Sequence, residues 1–409
     1  MITLALAVCA CWAILLAAYA GRLGADWREP VLAAPVLIIE SDDWGPGPAV
    51  DADRLQQIAG VLAEFRDARG GTPVMTLGVV LAVPAGAAAP GGLLGYQSQA
   101  LDAPVFATIR DAMLTGCDAG VFALQLHGME HFWPAALVSA AAQDDAVRGF
   151  LSSRGGAVRH ESLPSHLQAR WIDASRLPTA PLPGPAIERA AAKETACFAR
   201  VFGAPARVAV PVTFTWTETV EQAWASGGVR VVVTPGTRYV GRDGEGRLLG
   251  DGSLMRNGDR GAGGVTFVVR DVHFEPALGH TAGRTVREIL ERHRLGRPAL
   301  LEMHRFNFTG DEDQAARSSS ELRRLLADAL AATPGLRFLS TEALGNALAA
   351  GDPALVDRRP AARVRALVLR AATAPRLRRL AWVSGLALPA VLAYAIATAL
   401  LRRPVETGA

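Results

Sequence analysis

Short runs of β-branched and other apolar residues alternate along the middle of the chain with longer stretches whose apolar positions recur every three or four residues. Runs of the first kind are typical of buried strands, and stretches of the second kind are typical of amphipathic helices. The predicted strands are Val36–Glu40, Val74–Val80, Val121–Leu126, Arg207–Thr213, Val229–Thr234, Val265–His273, Ala299–His304 and Leu336–Ser340. The predicted helices include Asp51–Ala68, Trp133–Leu151, Ile187–Val201, Ser319–Ala331 and Thr341–Ala349. This alternation indicates an α/β fold of parallel units, in an open sheet or a closed barrel.

A glycine-rich polar segment, residues 241–264, interrupts this alternation. It lacks the Lys-Ser/Thr pair and the following helix that a phosphate-binding loop requires. The segment therefore predicts a surface hairpin or flap.

Two apolar segments without charged residues, Ile2–Ala20 and Ala381–Leu401, lie near the ends of the sequence. About 20 apolar residues are enough to cross a bilayer as a helix. Three arginines and Trp382 mark the start of the second segment, as at a membrane interface. We therefore predict an inner-membrane protein with four regions: a transmembrane or signal-anchor segment at 1–21, an α/β domain at 34–350, an Arg-rich juxtamembrane segment on an anionic lipid surface at 351–379, and a transmembrane helix at 380–401.

The sequence does not decide on which side of the membrane the α/β domain lies. Ala18-Tyr19-Ala20 resembles a signal-peptidase site, and a cleaved signal would place the domain outside. The excess of Arg before the second segment favours a cytoplasmic domain instead.

Charge is distributed unevenly. The 42 basic and 39 acidic residues nearly balance, yet eight Arg and no acidic residue lie within 358–379. The remainder is mildly acidic, which argues against a nucleic-acid partner, because phosphate binding requires clustered basic charge. The four cysteines are too few for a disulfide framework, and we interpret them as small apolar residues.

Titratable side chains follow three of the predicted strands. Asp42 and Asp43 follow the first, His127 and His131 the third, and His304 ends the seventh. Each pair has a structural alternative, because an Asp pair often caps a turn and two His at this spacing often only pack. Ligands of parallel α/β folds bind where the strands end, so the shared position of all five indicates a metal site.

These residues resemble the polysaccharide deacetylase (NodB-homology) superfamily. Ser41-Asp42-Asp43 resembles its T-F-D-D motif, His127-x-x-x-His131 its H-[ST]-x-x-H motif, and Leu301-x-x-His304 its L-x-x-H motif. The similarity is greatest to a branch with S-D-D-W-G, H-G-x-E-H, H-F-E-P and H-R-x-N-F, and it extends over roughly residues 34–350.

The resemblance implies a distorted (β/α) barrel and a metal-dependent hydrolase that removes an N- or O-acetyl group from a polysaccharide, oligosaccharide or glycolipid. It implies a divalent metal, with zinc expected, held by Asp43, His127 and His131. It also implies Asp42 as general base and His304 as general acid. Two imidazoles and one carboxylate would leave positions on the ion for water and substrate.

One motif of the family, R-x-P-Y, has no clear counterpart. The nearest segment runs from Arg207 to Trp216 and contains no Tyr. Cleavage of another C–N bond, an ester or a glycoside therefore also stays open. The cation beside Asp42 is predicted to be Arg207, Arg238 or Arg305. Further candidate pocket residues are Trp44, Glu130, His273, Glu275 and Asn307.

Two other functions compete with this interpretation. His127-x-x-Glu130-His131 also fits the H-x-x-E-H motif of inverted zinc proteases, with Glu130 as base. A non-catalytic carbohydrate-binding barrel is the second alternative. The other histidines, His160, His166, His280 and His293, lack partners at useful spacing and are predicted to lie at the surface or at helix ends.

Overall fold

The computed structural model describes residues 2–86 and 96–402. A parallel sheet at its centre contains strands from all eight predicted segments, with the sixth divided in two. Its strands are β1 (Val36–Trp44), β2 (Met75–Val79), β3 (Phe122–Leu126), β4 (Val208–Ala209), β5 (Val231–Thr234), β6 (Thr266–Val269), β7 (Val272–His273), β8 (Ala299–His304) and β9 (Arg337–Phe338). Their order is β6-β5-β4-β3-β2-β1-β8-β7, and β9 also pairs with the start of β1.

The two edges of this sheet are neighbours in the chain. β6 pairs with β5 and β7 pairs with β8, yet only Arg270 and Asp271 separate β6 from β7. The sheet must therefore curl until its edges meet. The prediction of a distorted (β/α) barrel is confirmed.

Alternation along the strands separates an inner from an outer apolar layer. Val36 and Ile38 of β1 belong to the inner cluster, which the helix Thr341–Ala350 and the Leu355–Val356 segment complete at the end where the strands begin. Leu37 and Ile39 belong to the outer cluster beneath the helices. Further along β1 the inner positions become polar, at Glu40 and Asp42, so polar groups collect where the strands end.

The helices, numbered along the chain, cover the sheet and form the terminal segments. They are α1 (Ile2–Ala18), α2 (Ala20–Arg28), α3 (Val50–Ala63), α4 (Ala107–Asp118), α5 (Pro134–Ala140), α6 (Asp145–Ser152), α7 (Gly184–Phe202), α8 (Glu218–Ser226), α9 (Ala282–Arg294), α10 (Glu312–Ala332), α11 (Thr341–Ala350), α12 (Pro360–Ala372), α13 (Pro375–Val383) and α14 (Ala387–Arg402).

The prediction of one helix over Trp133–Leu151 is wrong. Asp144 lies in an extended conformation and its carboxylate accepts hydrogen bonds from the backbone of Ala146 and Val147. It therefore caps a new helix, α6, and ends the first one. The predicted hairpin forms at the start of the glycine-rich segment, where Tyr239–Arg242 pairs with Leu248–Gly250 in antiparallel fashion.

The terminal segments bend where straight helices were expected. Within the described residues, no single helix is both long and apolar enough to cross a membrane. Two bent pairs meet the length and composition requirements jointly: Leu6–Ala18 with Ala20–Arg28, at 65°, and Pro375–Val383 with Ala387–Arg402, at 107°. Arg370, predicted to face lipid, is only 1% exposed and binds backbone carbonyls instead.

Candidate metal centre and catalytic site

A bulge in β1 brings two consecutive carboxylates to one site. In a regular strand, the side chains of Asp42 and Asp43 would point to opposite faces of the sheet. Asp43 instead has a φ of 73°, in the left-handed region, and the register of β1 against β2 shifts between Ser41 and Trp44. Such bulges reorient side chains, and strained backbone of this kind is concentrated at functional sites.

Three imidazoles converge on one oxygen of Asp43. The Nε2 atoms of His127, His131 and His160 lie 3.3, 3.2 and 3.4 Å from Asp43 Oδ1. All four side chains are buried. Asp43 Oδ1 and His160 Nε2 have no well-formed hydrogen bond to any described residue. Buried polar atoms without partners are rare, and three nitrogens around one carboxylate oxygen fit a shared divalent cation.

The ligand atoms of Asp43, His131 and His160 lie within 4.8 Å of one another, which is compatible with one ion. His127 contacts the same carboxylate oxygen, so the structure brings together all three ligands implied by the resemblance and adds His160. His127 Nδ1 lies 3.0 Å from Val210 O, and donation of its proton there would leave Nε2 free to face Asp43.

The ionisation states agree with a cation site. Burial, together with His160, lowers the pKa of His131 to about 3, so this imidazole is neutral at pH 7, as ligation requires. Burial alone would raise the pKa of Asp43, but the surrounding imidazoles, with His160 contributing most, outweigh it and hold this pKa well below its usual range.

His160, predicted to lie without partners at the surface or at a helix end, is instead buried beside Asp43 and His131. Its ring stacks on that of His131, with centroids 3.9 Å apart. It belongs to an irregular stretch, 153–163, which we call the covering segment. Arg159 on this segment makes two 2.8 Å hydrogen bonds to Asp51, and Glu161 lies 3.2 Å from Arg305.

The covering segment leaves little space beside the candidate metal ligands. A cavity of about 20 Å³ lies beside His131 and His160, enough for about one water.

The cation beside Asp42 is Arg270. Its Nη1 atom lies 2.7 Å from Asp42 Oδ2 and 3.1 Å from Glu40, and its Nε atom lies 3.3 Å from Glu302. Burial would raise the pKa of Asp42, but Arg270, with smaller contributions from His127 and His304, lowers it. Asp42 is therefore ionised at neutral pH and able to accept a proton.

The three arginines predicted for this role lie elsewhere. Arg207 is exposed and contacts the carbonyl of Gly228, at the end where strands begin. Arg238 pairs with Glu221 on α8, 2.7 Å away, while Arg305 pairs with the covering segment.

The segment that lacks the R-x-P-Y motif, Arg207–Trp216, nevertheless contacts Arg270. Phe214, within the Arg207–Trp216 segment, places its ring 4.9 Å from the guanidinium carbon of Arg270. Phe214 and the preceding Thr213 both have a φ of 51°. The segment thus supplies an aromatic face for an arginine from another part of the chain.

A second acid–base pair stands beside Asp42. His304 Nδ1 lies 2.6 Å from Glu275 Oε1, and Asn307 donates to the other oxygen of Glu275. Burial would lower the pKa of His304, but the hydrogen bond to Glu275 raises it to about 10. The ring is therefore protonated at neutral pH and can donate a proton.

The other predicted pocket residues have different surroundings. Trp44 is fully buried in the outer apolar cluster and donates to Ser41 Oγ. The carboxylate of Glu130 accepts hydrogen bonds from Arg170 and Tyr96. The His273 side chain is 55% exposed and its Nδ1 lies 3.7 Å from Glu302.

Comparison with known proteins gives only distant similarities. No protein-family model matches the sequence. No curated protein matches it either. A family 4 carbohydrate esterase from Streptomyces lividans, in complex with acetate, is 13% identical with a TM-score of 0.36, over 76% of this chain and 95% of that chain.

Two further solved structures are similar to this chain at a comparable distance. A family 4 acetyl xylan esterase from Clostridium thermocellum, in complex with a cobalt ion, is 9% identical with a TM-score of 0.35, over 76% of this chain and 89% of that chain. A 4-alpha-glucanotransferase from Thermococcus litoralis is 10% identical with a TM-score of 0.39, over 76% of this chain and 40% of that chain. Similarity this distant does not assign an activity to the chain.

Proposed function

We propose that this protein is a metal-dependent hydrolase that removes an N- or O-acetyl group from a carbohydrate. One observation carries the proposal: three imidazole nitrogens surround Asp43 Oδ1, and a carboxylate and an imidazolium stand beside them at the ends of β1 and β8. The sequence motifs that carry these residues support a carbohydrate substrate.

Different residues would carry out different parts of the reaction. Asp43, His127, His131 and His160 would hold the cation, which when bound would act as a Lewis acid on the acyl carbonyl of the substrate. Asp42, kept ionised by Arg270, accepts the proton of the attacking water. His304, protonated and oriented by Glu275, donates a proton to the departing amine or alcohol.

The geometry does not favour the protease alternative. Residues 127–133 form turns instead of the helix on which an H-x-x-E-H motif would present its side chains. Both oxygens of Glu130 are already engaged, by Arg170 at 2.7 Å and Tyr96 at 3.1 Å. Glu130 thus braces the turn that carries the two histidines.

The test measures metal content and turnover on the purified full-length chain. We expect Asp42→Asn and His304→Ala to retain the metal and to lose activity on acetylated oligosaccharides by roughly 10²–10⁴-fold, the usual contribution of one acid–base group. We expect His127→Ala and His131→Ala to lose metal as well.

Three outcomes would contradict the proposal. Wild-type protein without a divalent ion, or tight binding by both histidine variants, would contradict the metal site. Stoichiometric metal with no turnover on any acetylated sugar would favour the carbohydrate-binding alternative. Activity that depends on Glu130 and not on Asp42 would favour the protease.

A further inference from the structure

The two ends of the chain form one helical body, which we call the terminal helical unit and which comprises α1, α2, α12, α13 and α14. Trp12 on α1 donates a hydrogen bond to the carbonyl of Ser384, 2.8 Å away. Leu15, Ala374 and Leu377 share a buried apolar cluster. Residues more than 350 positions apart in the sequence are thus in contact.

This unit exposes many large apolar side chains. On α1, α13 and α14 they are between 45% and 83% exposed, and they are Leu6, Ile14, Leu16, Leu380, Trp382, Val383, Leu388, Val391, Leu392, Ile396 and Leu400. Monomeric soluble proteins rarely leave so many apolar side chains exposed on neighbouring elements, so a surface of this kind marks an interaction site.

Its charges favour a lipid partner over a protein partner. Exposed arginines accompany the apolar residues, and they are Arg28, Arg376, Arg378, Arg379 and Arg402. Trp382, 61% exposed, lies three residues after Arg379. Arginine and tryptophan beside an apolar helical face are typical of segments that lie at the surface of an anionic bilayer.

Arg370 fixes where this unit sits on the barrel. Its guanidinium donates to the backbone carbonyls of Asp26 and Glu29, each 2.9 Å away, and to that of Leu295, 3.0 Å away. These carbonyls precede β1 and β8 in the chain. Because the strands are parallel, Arg370 fastens the unit to the end of the barrel where the strands begin.

The candidate metal centre lies at the opposite end. Gly296, beside the Arg370 guanidinium, lies in a turn just before β8, and His304 is the last residue of that strand. At about 3.3 Å per residue, the strand from Ala299 to His304 alone separates the two ends by about 16 Å.

We infer that the terminal helical unit binds an anionic bilayer and holds the metal-centre end of the barrel turned away from the lipid. A substrate would then be a carbohydrate chain that extends into water and not the head group of a lipid in the same bilayer. This statement about the substrate rests on the proposed function, whereas the binding and the orientation do not.

Vesicle flotation of the full chain tests the binding. We expect it to float with vesicles of phosphatidylcholine mixed with phosphatidylglycerol, and less with phosphatidylcholine alone. Leu388→Glu should weaken the binding about tenfold or more, because it places a charge among apolar contacts. Leu278→Glu is a matched control, since both leucines are 68% exposed, and it should bind like wild type. Equal binding by both variants, or a dimer that Leu388→Glu dissociates without any vesicle binding, would overturn the proposal.

Energy transfer to acceptor-labelled lipids tests the orientation. Donor dyes are attached to Leu278→Cys or Ala354→Cys in a chain whose four native cysteines are replaced. Leu278 follows β7 at the metal-centre end, whereas Ala354 accepts a hydrogen bond from Arg337 at the end where strands begin. We expect stronger transfer from position 354, and equal or reversed transfer would overturn the orientation. Neither measurement requires turnover, so failure of the hydrolase proposal would be seen separately.

Discussion

Asp42 and His304 are direct register partners on the neighbouring parallel strands β1 and β8. Strands in a sheet lie about 4.8 Å apart, so the proposed proton acceptor and proton donor stand side by side. Each has its own partner of opposite charge, Arg270 for Asp42 and Glu275 for His304. The two groups are thus held in opposite protonation states at one pH, as a base and an acid of the same reaction require.

Replacement of Arg270 by methionine should strongly destabilise the fold. Glu40, Asp42 and Glu302 would lose the cation that they share. Removal of one partner from a buried ionic cluster costs about 3–5 kcal/mol, which urea unfolding would measure. Because burial already raises the pKa of Glu40 to about 7, the double variant Arg270→Met/Glu40→Gln should recover part of the loss. A double variant as unstable as the single one would contradict this account.

Gly78→Ala should remove activity and leave metal binding intact. A Cβ atom at Gly78 would lie 2.2 Å from Asp42 Oδ1, so the carboxylate would have to shift. A displacement of about 1 Å can cost 10²-fold in rate. Gly60→Ala is the control, because nothing lies within 4 Å of its added Cβ. Normal kinetics for Gly78→Ala would show that Asp42 is not the base.

Arg170→Met should weaken metal binding, although Arg170 is not one of the candidate metal ligands. Arg170 lies 2.7 Å from both Glu130 and Glu194, and Glu194 accepts a hydrogen bond from the backbone of Met129. This network braces the turn between His127 and His131. Loss of such support costs about 10–100-fold in metal affinity, measurable by competition with a chelating dye. Arg323→Gln breaks the exposed pair with Glu64 and should leave affinity unchanged.

Arg159→Gln should loosen the covering segment. It removes two hydrogen bonds to Asp51, while the pair between Glu161 and Arg305 stays. We expect faster amide hydrogen exchange within 153–163 and unchanged exchange in β1 and β8, because local opening requires less free energy than global unfolding. Uniformly faster exchange throughout the barrel would mean that Arg159 stabilises the whole fold and not this segment.

His293 should make stability decrease in mild acid. Burial lowers its pKa below the ordinary 6.5, and its Nε2 atom lies 3.0 Å from the carbonyl of Val36. As the pH falls through 6.5, the unfolded chain takes up a proton that the folded chain does not, so the free energy of unfolding decreases. His293→Gln can keep the hydrogen bond but cannot titrate. The decrease between pH 7 and pH 5, measured by urea unfolding, should therefore be smaller in this variant.

The strands and their ends could be predicted because their signals are local. Each barrel strand is a short apolar run bounded by polar residues, and the parallel arrangement brings the ends of those runs together. Asp42, Asp43, His127, His131 and His304 were identified by that rule alone. Their relative orientation depends on the bulge at Asp43, which no periodic pattern reveals.

Two residues of the site escaped prediction for different reasons. Arg270 lies inside the predicted strand Val265–His273, but β6 ends at Val269, so its position at a strand end was hidden. His160 lies in an irregular segment, whose path depends on contacts with residues distant in sequence such as Asp51 and Arg305. The break between α13 and α14 contains Gly385, whose φ is 79°, and hydropathy does not report such a bend.

The position of β1 in the sheet has a consequence for the order of folding during synthesis. β1 is made early, yet its neighbour β8 and its partner β9 are made only after about residue 300. Asp26 and Arg370, which join the two ends, are 344 residues apart. The edge of β1 that pairs with β8 therefore stays unpaired until most of the chain has been synthesised. Such an unpaired strand edge is prone to aggregation until the later strands pair with it.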